Sequence, residues 1–164
     1  MVNVYVGIGS NIEPEKNFES VYQRLKETYP DIRFSRTFQS SAVGFDGDDF
    51  YNSVAVFSVD AAASSIHNQL NRTLIELKAI ENQLSRTRGD RKFTARVIDI
   101  DILLFGDLIC DKPIQLPRGE IIENAYVLWP LSELAPSLLH PIEKKIYQEL
   151  WQSFDIGSQK LEAL

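Results

Sequence analysis

The sequence predicts an α+β fold with a ferredoxin-like βαββαβ core: a mainly antiparallel sheet, helices packed on it and a helical C-terminal tail. Three observations lead there. Two segments of helical period lie between pairs of strand-like segments rather than after every strand, which disfavours a doubly wound parallel sheet. The first strand runs into Gly7-Ile8-Gly9-Ser10-Asn11, which lacks the third glycine of a dinucleotide fingerprint and the Lys-Ser/Thr of a P-loop. The C-terminal part is apolar and helical in pattern, through Leu128-Trp129-Pro130-Leu131 and from about Glu143 to Trp151.

The elements follow in order. Val2 to Ile8 alternates with β-branched residues and reads as a strand, with Gly9-Ser10-Asn11 as a turn and cap. Pro14 then opens an amphipathic helix whose Phe18, Val21 and Leu25 share a face to about Thr28. Ile32 to Gln39 and Tyr51 to Val59 read as strands, separated by a loop of glycines and aspartates. Asp60 is expected to cap a long helix in which Ile66, Leu70, Leu74, Leu77, Ile80 and Leu84 recur at helical spacing. A basic loop, an apolar strand carrying two aspartates, a turn at Gly106-Asp107 and short strands to about Ile109 and near Ile114 to Leu116 come next.

Composition narrows the functional classes. With 164 residues, 44% of them hydrophobic, the chain can bury a full core, and it reads as one domain over residues 1–164. The N-terminus lacks a basic, long-apolar leader pattern and no apolar run reaches membrane-spanning length, so a cytoplasmic protein with no membrane partner is expected. Cys110 has no partner cysteine, and His67 and His140 are far apart, so neither a disulfide nor a thiolate or imidazole zinc site is expected. Any metal must be a hard, oxygen-bound one. A net charge of −6 argues against nucleic acid as a partner, which needs a basic face.

Asp99 and Asp101 stand out against that background. They sit in Arg96-Val97-Ile98-Asp99-Ile100-Asp101-Ile102-Leu103-Leu104-Phe105-Gly106, and Asp is among the poorest strand formers. Alternation puts Ile98, Ile100, Ile102 and Leu104 on a core face and both carboxylates, with Leu103 and Phe105, on the other. Carboxylates roughly 7 Å apart along a strand can hold hard divalent cations. Mg²⁺ takes only one or two protein carboxylates beside substrate phosphates, so the pair suits phosphoryl transfer. The bland alternative is a solvated strand face on which the acids serve solubility.

Upstream, Arg86, Arg88, Arg91, Lys92 and Arg96 crowd together with only Asp90 opposing them. Arginine forks match phosphate oxygens bidentately, and the Gly89-Asp90 turn suggests a loop able to close over a polyphosphate. A solvated helix C-terminus would account for Arg86 and Arg88 through the macrodipole, but not for Arg91, Lys92 and Arg96.

Taken together, Gly9-Ser10-Asn11, Phe50-Tyr51-Asn52, Glu81 with Arg86 and Arg88, the Arg96 to Gly106 strand and Leu128-Trp129-Pro130-Leu131-Ser132-Glu133-Leu134-Ala135-Pro136 closely resemble the 6-hydroxymethyl-7,8-dihydropterin pyrophosphokinases of folate biosynthesis. The resemblance spans nearly the whole chain, and the Asp-x-Asp strand is its most specific part. It implies transfer of the terminal pyrophosphoryl group of ATP, with two Mg²⁺ ions, to the pterin hydroxymethyl oxygen, giving AMP. It makes Asp99 and Asp101 the metal ligands and, with Arg86 and Arg96, the catalytic set. Glu81 and Arg88 fall at nucleotide-binding positions, and Arg118 stands where the family has a phosphate-binding His. On the pterin side, Asn52 matches the residue that hydrogen-bonds the ring, and Phe50 and Tyr126 match the two aromatics that sandwich it. Ser40 and Val43 fall at ring-contacting positions, and Phe93 at that of a loop Trp that seals the site.

The departures gather on the ATP side. Besides Arg118 for His, Asn124 replaces an Arg, Lys78 a Gln, and Thr94-Ala95 a Gly-Pro. An active monomeric enzyme with pterin and ATP as its small-molecule partners is expected. The alternative it leaves is a catalytically weak or inactive pterin-binding paralogue. An RNA-binding module of the same fold fits poorly with the acidic charge.

Overall fold

The structure, a computed structural model, describes residues 1–40, 50–61, 65–86 and 97–164, Arg86 through its backbone only. β1 (Val2–Ser10), α1 (Pro14–Thr28), β2 (Arg33–Phe34), β3 (Phe38–Ser40), β4 (Phe50–Val59), α2 (Ile66–Arg86) and β5 (Asp99–Phe105) form the first part. A 3-10 turn (Gly119–Ile122), α3 (Ala125–Leu134), α4 (Tyr147–Gln152) and β6 (Leu161–Ala163) complete it. The sheet runs β5-β1-β4-β3-β6, with β2 also beside β4, and every pair is antiparallel. β1 lies between β5 and β4, within the mainly antiparallel, ferredoxin-like plan that the sequence predicts.

Two apolar layers hold the sheet. On one face Val4, Val6, Ile8, Ile100 and Ile102 meet Phe18, Val21 and Leu25 of α1 and Leu70, Leu77 and Ile80 of α2. Burial of side chains this size is worth about 1.5–3 kcal/mol each, and that outweighs the weak local preference of either helix. On the other face, Tyr5, Val54 and Val56 pack with Ile121, Val127, Leu128, Leu131 and Tyr147. α3 and α4 cover only part of this second face, and the remainder is open to the cavity described below.

Several local expectations are corrected. The extended run from Ile32 to Gln39 is two strands, because Ser35 Oγ accepts the Val54 N–H (2.9 Å) and breaks the ladder. Asp60 does not cap α2. That helix begins at Ile66, where Ser65 Oγ takes the Asn68 N–H at 3.1 Å. Ser10 is the last residue of β1 rather than part of a cap, and α1 is entered through Glu13 at φ 39° with no side-chain cap. The strands expected near Ile109 and Ile114 shrink to one bridge, Cys110 to Leu116. α4 starts only at Tyr147, since the buried His140 Nδ1 accepts the Ile142 and Glu143 N–H groups and ties that segment into a turn. The tail also ends in a strand, β6, which pairs with β3.

The alternation along β5 holds to Leu103, which shares the aspartate face as expected, and fails at Leu104. The pairing to β1 steps from Val6↔Ile102 to Tyr5↔Leu104, leaving Leu103 as the extra residue of a β-bulge. A one-residue shift turns every later side chain over. Leu103 and Leu104 therefore both join the α3 and α4 side, while Phe105, expected beside the aspartates, is fully buried against α1 and α2.

Candidate active site

The register of three strands assembles the site. Asp99 lies opposite Gly9, and Gly9 opposite Asn52; one step along, Asp101 lies opposite Gly7, and Gly7 opposite Val54. Directly opposed residues share a face, so both carboxylates and the Asn52 amide rise from one side of the sheet with bare glycine backbone between them. A Cβ added at Gly9 would come within 3.2 Å of Asn52 Oδ1, which makes glycine the residue that leaves this floor open. Above it is a cavity of about 580 Å³ whose lining includes Ser40, Phe50, Asn52, Asp99, Asp101 and Tyr126.

The carboxylates are exposed to the cavity, while the strand bearing them is held from its free edge. Glu81, 4% exposed on α2, accepts the Ile100 N–H between the two aspartates at 2.7 Å, and Lys78 Nζ lies 3.7 Å from its other oxygen. Arg118 donates from Nε to the Ile102 carbonyl (2.8 Å) and from its backbone N–H to that of Leu103 (3.0 Å). Ser10 Oγ donates to the Val97 carbonyl at 2.6 Å, fixing the approach to β5. Glu81 and Arg118 are thus outside the described lining and support the strand that carries both aspartates.

At the β3 end of the cavity an amide and two aromatic rings come together. Asn52 Nδ2 donates to Ser40 Oγ (3.2 Å), leaving the Asn52 carbonyl oxygen toward the glycine floor. Phe50 and Tyr126 line the same space. Burial raises the Tyr126 hydroxyl pKa, and the negative charges of Glu120 and Asp101 raise it further, so the ring stays neutral. Asn124 Nδ2 donates to that hydroxyl at 3.1 Å. The sequence reading missed Glu120, Gln159, Lys160 and Leu161, which also line the cavity. Nothing local marks the last three. They arrive through the pairing of β6 with β3.

The chain matches the model of the 7,8-dihydro-6-hydroxymethylpterin-pyrophosphokinase family over residues 5–136. It belongs to that family. It is 30% identical over 152 residues to the 2-amino-4-hydroxy-6-hydroxymethyldihydropteridine pyrophosphokinase of Aquifex aeolicus, covering 91% of this chain and 90% of that protein. It is 35% identical over 144 residues to the protein of the same name from Pseudomonas aeruginosa, covering 84% and 83%. Among solved structures, Plasmodium falciparum HPPK-DHPS superposes with a TM-score of 0.67 at 12% identity, a likeness of fold. The match covers 92% of this chain and 44% of that one.

For this pyrophosphokinase-family chain, the described structure brings Ser40, Phe50, Asn52, Asp99, Asp101 and Tyr126 into one cavity. It sets Glu81 and Arg118 behind β5 instead. Val43, Arg88, Phe93, Arg96 and the side chain of Arg86 lie outside the described residues, as does the loop expected to close over phosphates. Among the described residues no cluster of three or more His, Cys, Asp or Glu side chains is placed to hold a metal. Two aspartates alone suit Mg²⁺, which fills its octahedron with water and substrate phosphate. No described helix is long and apolar enough to cross a membrane.

Proposed function

We propose that the cavity over Gly7 and Gly9 is the site of pyrophosphoryl transfer, with the nucleotide phosphates at the Asp99 and Asp101 end and the pterin between Phe50 and Tyr126. As a family member the chain is an ATP-dependent pyrophosphokinase. It moves pyrophosphate from ATP to 6-hydroxymethyl-7,8-dihydropterin in folate biosynthesis. The observation that carries the site assignment is the Asp99–Gly9–Asn52 row, which aims metal-binding carboxylates and a ring-reading amide into one space.

Asp99 and Asp101 would hold two Mg²⁺ ions, whose chemistry is neutralisation of phosphate charge as the β-phosphorus is attacked. The rest falls to side chains. Phe50 and Tyr126 fix the ring plane by stacking, and Asn52 reads a polar edge, so the hydroxymethyl oxygen is held facing the aspartates. That hydroxyl releases its proton to solvent as its oxygen bonds to the β-phosphorus, the bond from the β-phosphorus to the oxygen shared with the α-phosphorus breaks, and AMP leaves with that oxygen. Arg86 and Arg96 are assigned to the phosphates, with Arg88 and Arg118 in support. Phe93 is assigned to sealing the site and Val43 to the ring pocket. Glu81 is assigned two duties, anchoring β5 and contacting the nucleotide.

Incubation with Mg-ATP and 6-hydroxymethyl-7,8-dihydropterin is expected to yield AMP and the pterin pyrophosphate, resolved by anion-exchange chromatography. ADP as the product would overturn the assignment, and pterin binding without AMP would favour the inactive paralogue, which family membership does not favour. Asn52→Ala is expected to weaken pterin binding by about 1–3 kcal/mol, because a polar ring edge is then buried unpaired. Calorimetry with a pterin analogue beside an unreactive ATP analogue measures it. Unchanged affinity would remove Asn52 from the pocket.

A further inference from the structure

The end of the cavity farthest from the aspartates is closed by the C-terminal segment. Gln159 Oε1 accepts the Ala125 N–H at 2.7 Å, and its Nε2 donates to the Glu123 carbonyl at 3.0 Å. One amide thus grips the backbone on both sides of Asn124, whose own amide holds the Tyr126 hydroxyl. The Ala125 N–H is one of the orphan donors at the start of α3, where no side chain of that segment caps the helix. Gln159 supplies what the local sequence omits. The next residues are then committed: β6 pairs Leu161 with Ser40 and Ala163 with Phe38, and the Leu164 N–H reaches the Thr37 carbonyl at 2.9 Å. Lys160 sits between these two anchors. It is the one cationic residue among the described residues that line the cavity, whose lining also includes Asp99, Asp101 and Glu120.

We propose that Gln159 is a positioning residue for the pterin-stacking ring of Tyr126, and that Lys160 and Leu161 form an end wall that sets which ring system the cavity accepts. The inference rests on the pterin assignment above. β5 and β6 are four strand spacings apart, roughly 19 Å, so this wall meets the ring end of a substrate and not its phosphates. Lys160 is exposed and lines the cavity one residue before Leu161, which pairs with Ser40, the partner of Asn52. An anionic or carbonyl-bearing edge is favoured there over an apolar one.

Steady-state kinetics of Gln159→Leu and Lys160→Ala, with melting curves for each, test this. Gln159→Leu is expected to raise the KM for 6-hydroxymethyl-7,8-dihydropterin about 10-fold, the size of a lost hydrogen bond, with the KM for ATP unchanged. Gln159→Glu, which keeps the acceptor for Ala125, is expected to recover part of it. Lys160→Ala is exposed and leaves the fold intact, so a rise of several-fold in pterin KM alone supports the wall. An unchanged pterin KM in both variants overturns the inference while the parent's AMP formation keeps the function standing. Equal rises for both substrates with a lowered melting point also overturn it, in favour of a purely structural latch. If the parent forms no AMP, the function falls first; titration of 6-hydroxymethylpterin in the presence of α,β-methylene-ATP then decides the wall, with unchanged affinity in both variants against it.

Discussion

Asp99→Ala and Asp101→Ala are each expected to lower AMP formation by about a thousandfold or more while leaving the melting temperature within a degree or two of the parent. The first half follows from charge. Stabilisation of phosphate charge by a bound divalent ion is worth several kcal/mol, and about 1.4 kcal/mol is a factor of ten in rate. Remove one of two carboxylates and the remaining donor set is a single monodentate group. The second half follows from burial. Both side chains are exposed, and the partners that hold β5 in place bind its backbone instead. Calorimetric titration of Mg-ATP checks the cause: binding should weaken in both variants. If either variant binds Mg-ATP and turns over as the parent does, that residue is not a metal ligand.

Glu81→Ala should fail differently, losing stability before chemistry. Its carboxylate is almost wholly buried and accepts the Ile100 N–H, so truncation strands a buried backbone donor and opens a cavity. A loss of about 2–4 kcal/mol is expected, seen as a fall of roughly 5–10 °C in melting temperature for a chain of this size. The ion pair with Lys78 adds little, since the Lys side chain is half exposed. Glu81→Gln keeps an acceptor for Ile100 and should restore most of the stability. If that variant melts with the parent yet shows a raised KM for ATP, the carboxylate also meets the nucleotide. A Glu81→Ala protein that melts with the parent would show that the Ile100 contact contributes nothing.

How far the sequence carried this site depends on the distance over which each residue acts. The carboxylate pair was legible because alternation is local: Asp99 and Asp101 break an apolar run and share a face whatever the rest of the chain does. The βαββαβ order was legible for the same reason, from periods of two and 3.6. What failed was of two kinds. Some features are single-residue events with no periodic signature, such as the bulge at Leu103 that sends Phe105 to the opposite core, or Ser65 capping α2 in place of Asp60. Others are encounters across long stretches of chain. Gln159 caps a helix that begins 34 residues earlier, and Arg118 reaches back to Ile102. No window read along the sequence contains both partners. Glu81 was placed in the site by resemblance, but the structure gives its carboxylate a tie to β5, seen only in space.

The pairing of β6 with β3 also bears on how the protein is made. Ser40 and Leu161 are neighbours in the sheet yet lie 121 residues apart in the sequence. During synthesis, β1, α1, β4, α2 and β5 can dock as soon as Phe105 has left the ribosome, and the strand bearing both aspartates is then already in place. The end of the cavity beside Ser40 closes only once Gln159 to Ala163 have followed, because the cap on α3 and the strand beside Ser40 both come from that segment. A growing chain therefore assembles the aspartate end of the cavity well before the end that we propose for the pterin.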